Sequence, residues 1–136
     1  DVGSLRLTAE VLTGDPPSKK AVVAARSLVR GHLEGLVVPL PGYGLAIGGS
    51  ARGLRRLVGN TLGPDELSEA ISILRKRNAK SVSSAFGVPP ARAPTLLGGA
   101  VILAEVQARL IVPFQVVSGG LREGAVVELA SRRAAA

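Results

Sequence analysis

The chain contains no cysteine, methionine or tryptophan, one histidine, and only Tyr43, Phe86 and Phe114 as aromatic residues. Without cysteine, disulfides, thiolate nucleophiles and cysteine-based metal sites are excluded, and a reducing cytoplasm is a compatible compartment. With so few rings the core must be filled by Leu, Val, Ile and Ala, which suits layered α/β packing better than an aromatic-rich sandwich. One histidine and scattered carboxylates form no Ser-His-Asp arrangement, acid pair or metal cluster. A self-contained hydrolytic centre is therefore hard to assemble, and no metal ligand is assigned. The longest apolar stretch, residues 96–104, falls far short of the roughly 20 residues that cross a bilayer. The opening Asp1-Val2-Gly3-Ser4 lacks the basic and apolar regions of a signal peptide. These absences predict a soluble, cytoplasmic protein with no membrane partner. The lack of any methionine, together with an opening that reads as the inside of a strand, predicts a piece of a longer polypeptide.

What is present is apolar and basic. A chain of 136 residues with 46% apolar content fits one ordered domain with a real core. Seventeen basic against ten acidic residues leave a net charge of +7. That sign calls for an anionic partner: a phosphorylated ligand, nucleic acid or an acidic protein.

Residues 4–12 alternate apolar and polar side chains through Leu5, Leu7 and Ala9, and predict a strand with one covered face. Turn chemistry at Gly14-Asp15-Pro16-Pro17-Ser18 follows, with Ser18 as N-cap of a helix that runs to about Leu36 and carries His32. Gly44-Leu45-Ala46-Ile47 is a short buried strand that leads through Gly48-Gly49-Ser50 into a helix with Arg52, Arg55 and Arg56 on related faces. Gly63-Pro64-Asp65 opens another helix, acidic early and basic late, as the helix dipole favours. The basic run at residues 75–80 reads either as the end of that helix or as a nucleic-acid patch. After Pro89 and Pro90, residues 94–110 form the longest helix, apolar on most sides and rich in small residues. It should be the buried central helix, with Arg92 just before it. Residues 113–117 make the last strand, and Gly119-Gly120 lead into a final helix in which Gly120 is a cap and Glu123 lies in the first turn. Arg122 there opposes the dipole, so it either reaches an anion or carboxylate or lies on the surface.

The sum predicts an α/β domain with an incomplete sheet of about three strands and flanking helices. Two strand-to-helix turns carry glycine pairs, and such turns present backbone N–H groups that suit phosphate. Ser50 could add a hydroxyl there, and Arg52 or Arg92 a bidentate guanidinium. The same glycines are equally explained by tight packing. No GxxxxGK[ST], GxGxxG after a strand, or HExxH occurs.

Several blocks resemble the exopolyphosphatase and guanosine pentaphosphate phosphohydrolase family, part of the actin-like, Hsp70-like and sugar-kinase-like ATPase superfamily. Arg92-Ala93-Pro94-Thr95-Leu96-Leu97-Gly98-Gly99-Ala100-Val101-Ile102-Leu103 is similar to its C-terminal signature, as is Val117-Ser118-Gly119-Gly120-Leu121-Arg122-Glu123-Gly124. Gly3-Ser4-Leu5-Arg6-Leu7-Thr8, followed by Asp15-Pro16-Pro17, resembles the family's Gly-Ser-Val-Arg-Leu-Thr block. Ala46-Ile47-Gly48-Gly49-Ser50 resembles its glycine and Ser/Thr turn near the substrate. The blocks keep the family's order across nearly the whole chain.

The resemblance implies a ribonuclease H-like, actin-like fold, with residues 1–136 forming most of the second domain of a Mg2+-dependent enzyme that releases terminal phosphate from polyphosphate or guanosine pentaphosphate. It implies phosphate contacts by Gly48, Gly49, Ser50, Arg92 and His32, and structural roles for Ser118, Gly120, Arg122, Glu123 and Gly124 in seating the last helix against the sheet. The catalytic glutamate and the first domain would precede Asp1, no tightly bound cofactor is expected in this chain, and the fragment alone should be inactive. Partners would be the N-terminal domain and, as an option, a second copy, with no specific nucleic acid. Two positions depart from the family pattern: Ser118 stands where Asp is usual, and His32 where some members carry lysine. Two other classes stay open, a basic RNA- or DNA-binding module that lacks aromatic stacking platforms, and a catalytically inactive phosphate or nucleotide sensor.

Overall fold

The computed structural model describes residues 2–134. Seven α-helices, one 3-10 turn and three strands follow in the order α1 (Ser4–Glu10), α2 (Lys19–Leu33), β1 (Gly44–Ala46), α3 (Gly49–Val58), β2 (Thr61–Leu62), α4 (Pro64–Lys76), α5 (Ala79–Phe86), the 3-10 turn (Ala93–Thr95), α6 (Leu96–Leu110), β3 (Phe114–Val116) and α7 (Leu121–Ala134). The sheet order is β1-β3-β2, with β1 parallel and β2 antiparallel to β3. This is the α/β architecture with an incomplete three-stranded sheet that the sequence predicts, but one strand is a different one.

Residues 4–12 are not a strand. The covered positions there are Ser4, Leu7, Thr8, Val11 and Leu12, a spacing of three and four that belongs to a helix. Leu5, which alternation would place beside Leu7, is 73% exposed. Arg6 and Glu10 add an ion pair one turn apart, 2.8 Å between Nε and Oε1. The helical stripe is hidden in the sequence because two of its five members are small and polar. They are tolerated inside because the facing surface is glycine: a Cβ on Gly98 would lie 2.8 Å from the Ser4 carbonyl oxygen and 3.1 Å from Thr8 Oγ1. The third strand is instead Thr61–Leu62, which is too short to show any period. Leu62 is fully buried, and Val116 N–H donates to the Asn60 carbonyl at 2.8 Å beside it.

The remaining elements form where their local chemistry places them. Ser18 Oγ accepts from Ala21 N–H at 3.1 Å and starts α2. Glu66 accepts from Gly63 N–H at 3.1 Å and starts α4 with Pro64 in its first turn. The N-terminus of α5 has two caps: Asn78 Oδ1 accepts from Ser81 N–H, and Asp15 Oδ1 from Ala79 N–H, each at 2.8 Å. The Asp15-Pro16-Pro17 turn thus ties the α1–α2 connection to the start of α5.

Helix α6 is the central element and packs against α1, α2, α3 and α4. Its glycines are what let these neighbours approach. Gly98 receives α1, and Gly99 receives α3, where a Cβ would lie 2.6 Å from Ser50 Cβ. On α3, Gly53 makes room in turn for Leu96, whose Cδ1 would be 2.7 Å from an added Cβ.

Glu105, on the same helix, is buried at 5% exposure and joins α6 to α2. Arg30 Nε donates to its Oε2 at 2.6 Å. Arg26 Nε lies 2.7 Å from Oε1, close enough for an ion pair but without hydrogen-bond geometry. The hydrogen bond that Arg30 donates to Glu105, and then the charge of that carboxylate, raise the pKa of the Arg30 guanidinium above its ordinary value. Both arginine side chains keep substantial exposure, 40% and 62%, so they can turn to water if the carboxylate is removed. Glu105→Leu is therefore expected to change stability by less than about 1 kcal/mol in thermal unfolding, because it removes a desolvated charge without trapping its partners. A loss several times larger would show that the triad, not apolar contact, docks α2 on α6.

Helix α7 forms as predicted, but its described side chains, residues 123–133, are all exposed. They include Val126, Val127 and Leu129, each more than 60% exposed. Among the described residues, no side chain of α7 is seated against the sheet. The side chain of Arg122 lies outside the described residues.

Candidate functional site

Because β1 and β3 are adjacent and parallel, in register from Gly44↔Phe114 to Ala46↔Val116, the two glycine turns leave the sheet at the same end. Val117 N–H donates to the Ala46 carbonyl at 3.1 Å and extends the ladder to the brink of both turns. Each turn then reverses through a glycine with positive φ, Gly48 at 106° and Gly119 at 110°. Gly48, with ψ at −172°, occupies backbone space that is essentially closed to other residues. Arg52 N–H bonds the Gly48 carbonyl at 3.1 Å as the first intrahelical bond of α3, so the N–H groups of Gly49, Ser50 and Ala51 have no intrahelical acceptor. This is the carboxyl end of the parallel strands, where open α/β sheets place their ligands.

Arg92 comes to this point from the turn that precedes α6. Residues 89–95 form a tight turn in which Arg92 N–H and Ala93 N–H both donate to the Pro89 carbonyl, at 2.8 and 3.1 Å, and Thr95 N–H donates to the Arg92 carbonyl at 3.2 Å. The backbone is thus fixed while the side chain stays exposed. The Arg92 guanidinium lies over the start of α3, its Cζ 3.1 Å and Nη1 3.2 Å from where a Cβ on Gly49 would stand. A Cβ at position 49 would make the guanidinium give way by a few tenths of an ångström.

Between them is a cavity of about 160 Å³ lined by Gly49, Arg52, Gly53, Arg55, Arg56, Pro89 and Arg92. Four of the seven residues are arginine and none is acidic. Among the described residues none of these four arginines forms a salt bridge; the pairs present involve Arg6, Arg26, Arg30 and Arg132. Arg52 stands in the first turn of α3, where its charge opposes the helix dipole. Arg55 and Arg56, in the last turn, suit the dipole, but the four guanidinium groups repel one another and an anion would relieve that repulsion.

The other predicted residues fall in different places. Ser50 is beside Gly49 in sequence, but its hydroxyl faces α6, 2.5 Å from the Cβ position of Gly99, so it packs the α3–α6 crossing. His32 is not brought to the arginine cavity. It lies on α2 with Nδ1 2.9 Å from the Leu28 carbonyl oxygen, and lines a separate, smaller cavity of about 50 Å³ against α1. Ser118 is exposed between β3 and Gly119. Gly120 accepts through its carbonyl from Gly124 N–H at 3.0 Å, and the Glu123 carboxylate folds back toward Gly120, 3.1 Å from its Cβ position. Arg55 and Arg56, which the sequence places only on a basic face, line the cavity with Arg92. Three arginines at i, i+3 and i+4 with no acid one turn away were the available signal.

The Mg2+ implied by the family resemblance does not fit these residues. The cavity offers guanidinium groups and no carboxylate, and among the described residues no group of three or more His, Asp or Glu could hold a metal ion. No described helix is long and apolar enough to cross a membrane.

The fold is an α/β unit with a cationic cavity beside the carboxyl end of its parallel strands. Solved structures share this fold. The chain superimposes on the crystal structure of the Aquifex aeolicus member of the Ppx/GppA protein family with a TM-score of 0.86, at 21% identity over 96% of this chain and 47% of that one. An exopolyphosphatase-like protein matches with a TM-score of 0.86, at 21% identity over 97% of this chain and 49% of that one. The type II variant of the Aquifex aeolicus Ppx/GppA phosphatase gives 0.83, at 21% identity over 93% and 47%. The chain spans about half the length of the structures it matches. No protein-family model matches the sequence, and no curated protein matches it significantly. At this identity the likeness is one of fold.

Proposed function

We propose that the chain is a member of the Ppx/GppA family, and that residues 1–136 form most of the second actin-like domain of a phosphohydrolase releasing terminal phosphate from polyphosphate or guanosine pentaphosphate. The observation that carries this reading is the unpaired Arg92 guanidinium over Gly49 at the carboxyl end of β1.

In-line attack of water on a terminal phosphoryl group gathers charge on its equatorial oxygens, and catalysis there is chiefly positioning and charge stabilisation. Arg92 supplies a permanently charged planar fork, and the first-turn N–H groups of α3 supply fixed neutral donors. Gly48 sets the turn that aims them. Nothing lining the cavity can orient or deprotonate water, since it holds no carboxylate, histidine or hydroxyl. In this reading the water-positioning group, any metal ligands and the remainder of the cleft come from other parts of the parent polypeptide, and this chain alone is expected to be inactive.

The test is phosphate release by the full-length protein given each substrate in turn. Release from either one supports the reading. Binding of both without release makes the protein a sensor, and the absence of both binding and release removes the phosphohydrolase reading.

A further inference from the structure

Helix α7 has the sequence of a helix that packs and the surroundings of one that does not. Its side chains at residues 123–133 are all exposed, with Val126, Val127 and Leu129 at 66%, 65% and 63%. At helical spacing these three and Ala130 fall within one arc of about 160°. Glu128 and Arg132, paired at 2.9 Å, lie on the opposite side. An amphipathic helix of 14 residues with Gly124 inside it is marginal in water by itself, so the apolar arc calls for a partner. Length and position point to which one. This chain spans about half the length of the solved structures it superimposes on, so a second half of similar size is the nearest available surface. A partner tethered on the same polypeptide also has the advantage of effective concentration over a second copy. Helix α7 leaves the sheet through Gly119, at the same end as Gly48 and the Arg92 cavity. Ile47, directly before Gly48, is another apolar side chain left uncovered there, at 53% exposure. The uncovered apolar surface therefore begins beside the cleft for which the proposed function needs a second wall.

We infer that the apolar arc of α7, formed by Val126, Val127, Leu129 and Ala130, is a docking face for the first domain of the parent polypeptide and holds that domain beside the Arg92 cavity. The inference rests on the proposed function for the existence of that domain, while the need for a partner rests on the exposed arc alone.

The experiment is photocrosslinking in the full-length protein, with p-benzoylphenylalanine placed at Val127 and, as a control, at Glu128 on the opposite side. The adduct from position 127 should map by mass spectrometry to the first domain of the same molecule and exceed that from position 128 about fivefold or more. An adduct within residues 2–134 would seat α7 on its own unit, one of doubled mass would make a second copy the occupant, and equal or no adducts would leave the arc uncovered. Each of these overturns the inference. Hydrogen exchange gives a second readout. Val126→Glu combined with Val127→Glu should speed exchange of the α7 amides about 100-fold, while Glu128→Ala combined with Arg132→Ala stays within about threefold. Unchanged exchange in the double glutamate variant would also overturn it. Neither readout uses phosphate release, so the two readings fail separately: the intramolecular adduct in a protein that releases no phosphate keeps the docking face and removes the phosphohydrolase, and phosphate release with α7 uncovered does the reverse.

Discussion

Arg92→Ala in the full-length protein is expected to lower kcat/KM for terminal phosphate release about 100-fold while leaving the melting temperature unchanged. Both halves of this expectation come from the same geometry. The turn that carries Arg92 is held by backbone bonds from Arg92 and Ala93 to Pro89 and from Thr95 to Arg92, none of which uses the side chain. The guanidinium is exposed and forms no salt bridge among the described residues, and truncating it relieves repulsion from Arg52, Arg55 and Arg56. Stability therefore has little to lose. Phosphoryl transfer has much to lose, because one charge-assisted contact that tightens as the transition state develops is worth factors of this size. Arg92→Lys should recover only part of the rate, since a point charge cannot reproduce the planar fork. A rise in KM with kcat unchanged would mean that Arg92 holds substrate and transition state equally, and unchanged kinetics would remove it from the cleft.

The sequence carried the elements whose boundaries are chemical. Ser18 and Pro64 mark helix starts by capping or by a fixed φ, and these marks are local enough to survive any tertiary context, whereas the Asn78 cap lies inside the basic run read as a helix end. The glycine turns at Gly48 and Gly119 were legible for the same reason, as residues that alone accept those backbone angles. What the sequence concealed depends on what lies opposite. Residues 4–12 look like a strand only if Ser4 and Thr8 are taken as solvent-facing, and they are inside because Gly98 leaves a place for them. The Thr61–Leu62 strand exists because β3 offers it an edge, which no two-residue pattern can announce. The buried charge of Glu105 was equally invisible, since its partners Arg26 and Arg30 lie some 75 residues earlier on a helix that shows only a basic face in sequence.

The candidate site divides along the same line. Gly48, Gly49 and Arg92 could be picked out separately, and the structure joins them. Ser50 and His32 carry suitable chemistry, but their side chains face the α6 crossing and the α1–α2 groove. For these two, packing against neighbouring helices decided the direction. The resemblance to a known family marked the positions without fixing what each side chain touches.

Replacing Gly98 with valine should produce the largest loss of stability, about 3 kcal/mol, read as a fall of roughly 10 °C in melting temperature. The Cβ alone would stand 2.8 Å from the Ser4 carbonyl oxygen and 3.3 Å from Ser4 Cα, backbone atoms that cannot rotate away as a side chain could. It would also lie 3.1 Å from Thr8 Oγ1, which already donates to that same Ser4 carbonyl at 2.8 Å, so the local bond and the crossing would be disturbed together. Lifting α1 from α6 would expose Leu7 and Leu12, at present 2% and 1% exposed. Intrinsic helix propensity favours the replacement, since glycine is about 1 kcal/mol worse than alanine in a helix interior, but the clash outweighs it. Gly31 supplies the opposite case. It lies in α2 with nothing within 4 Å of its Cβ position, so Gly31→Ala should raise stability by roughly 0.5 to 1 kcal/mol. If both variants melt alike, α1 is not seated on Gly98, and the helical reading of the N-terminal segment loses its packing rationale.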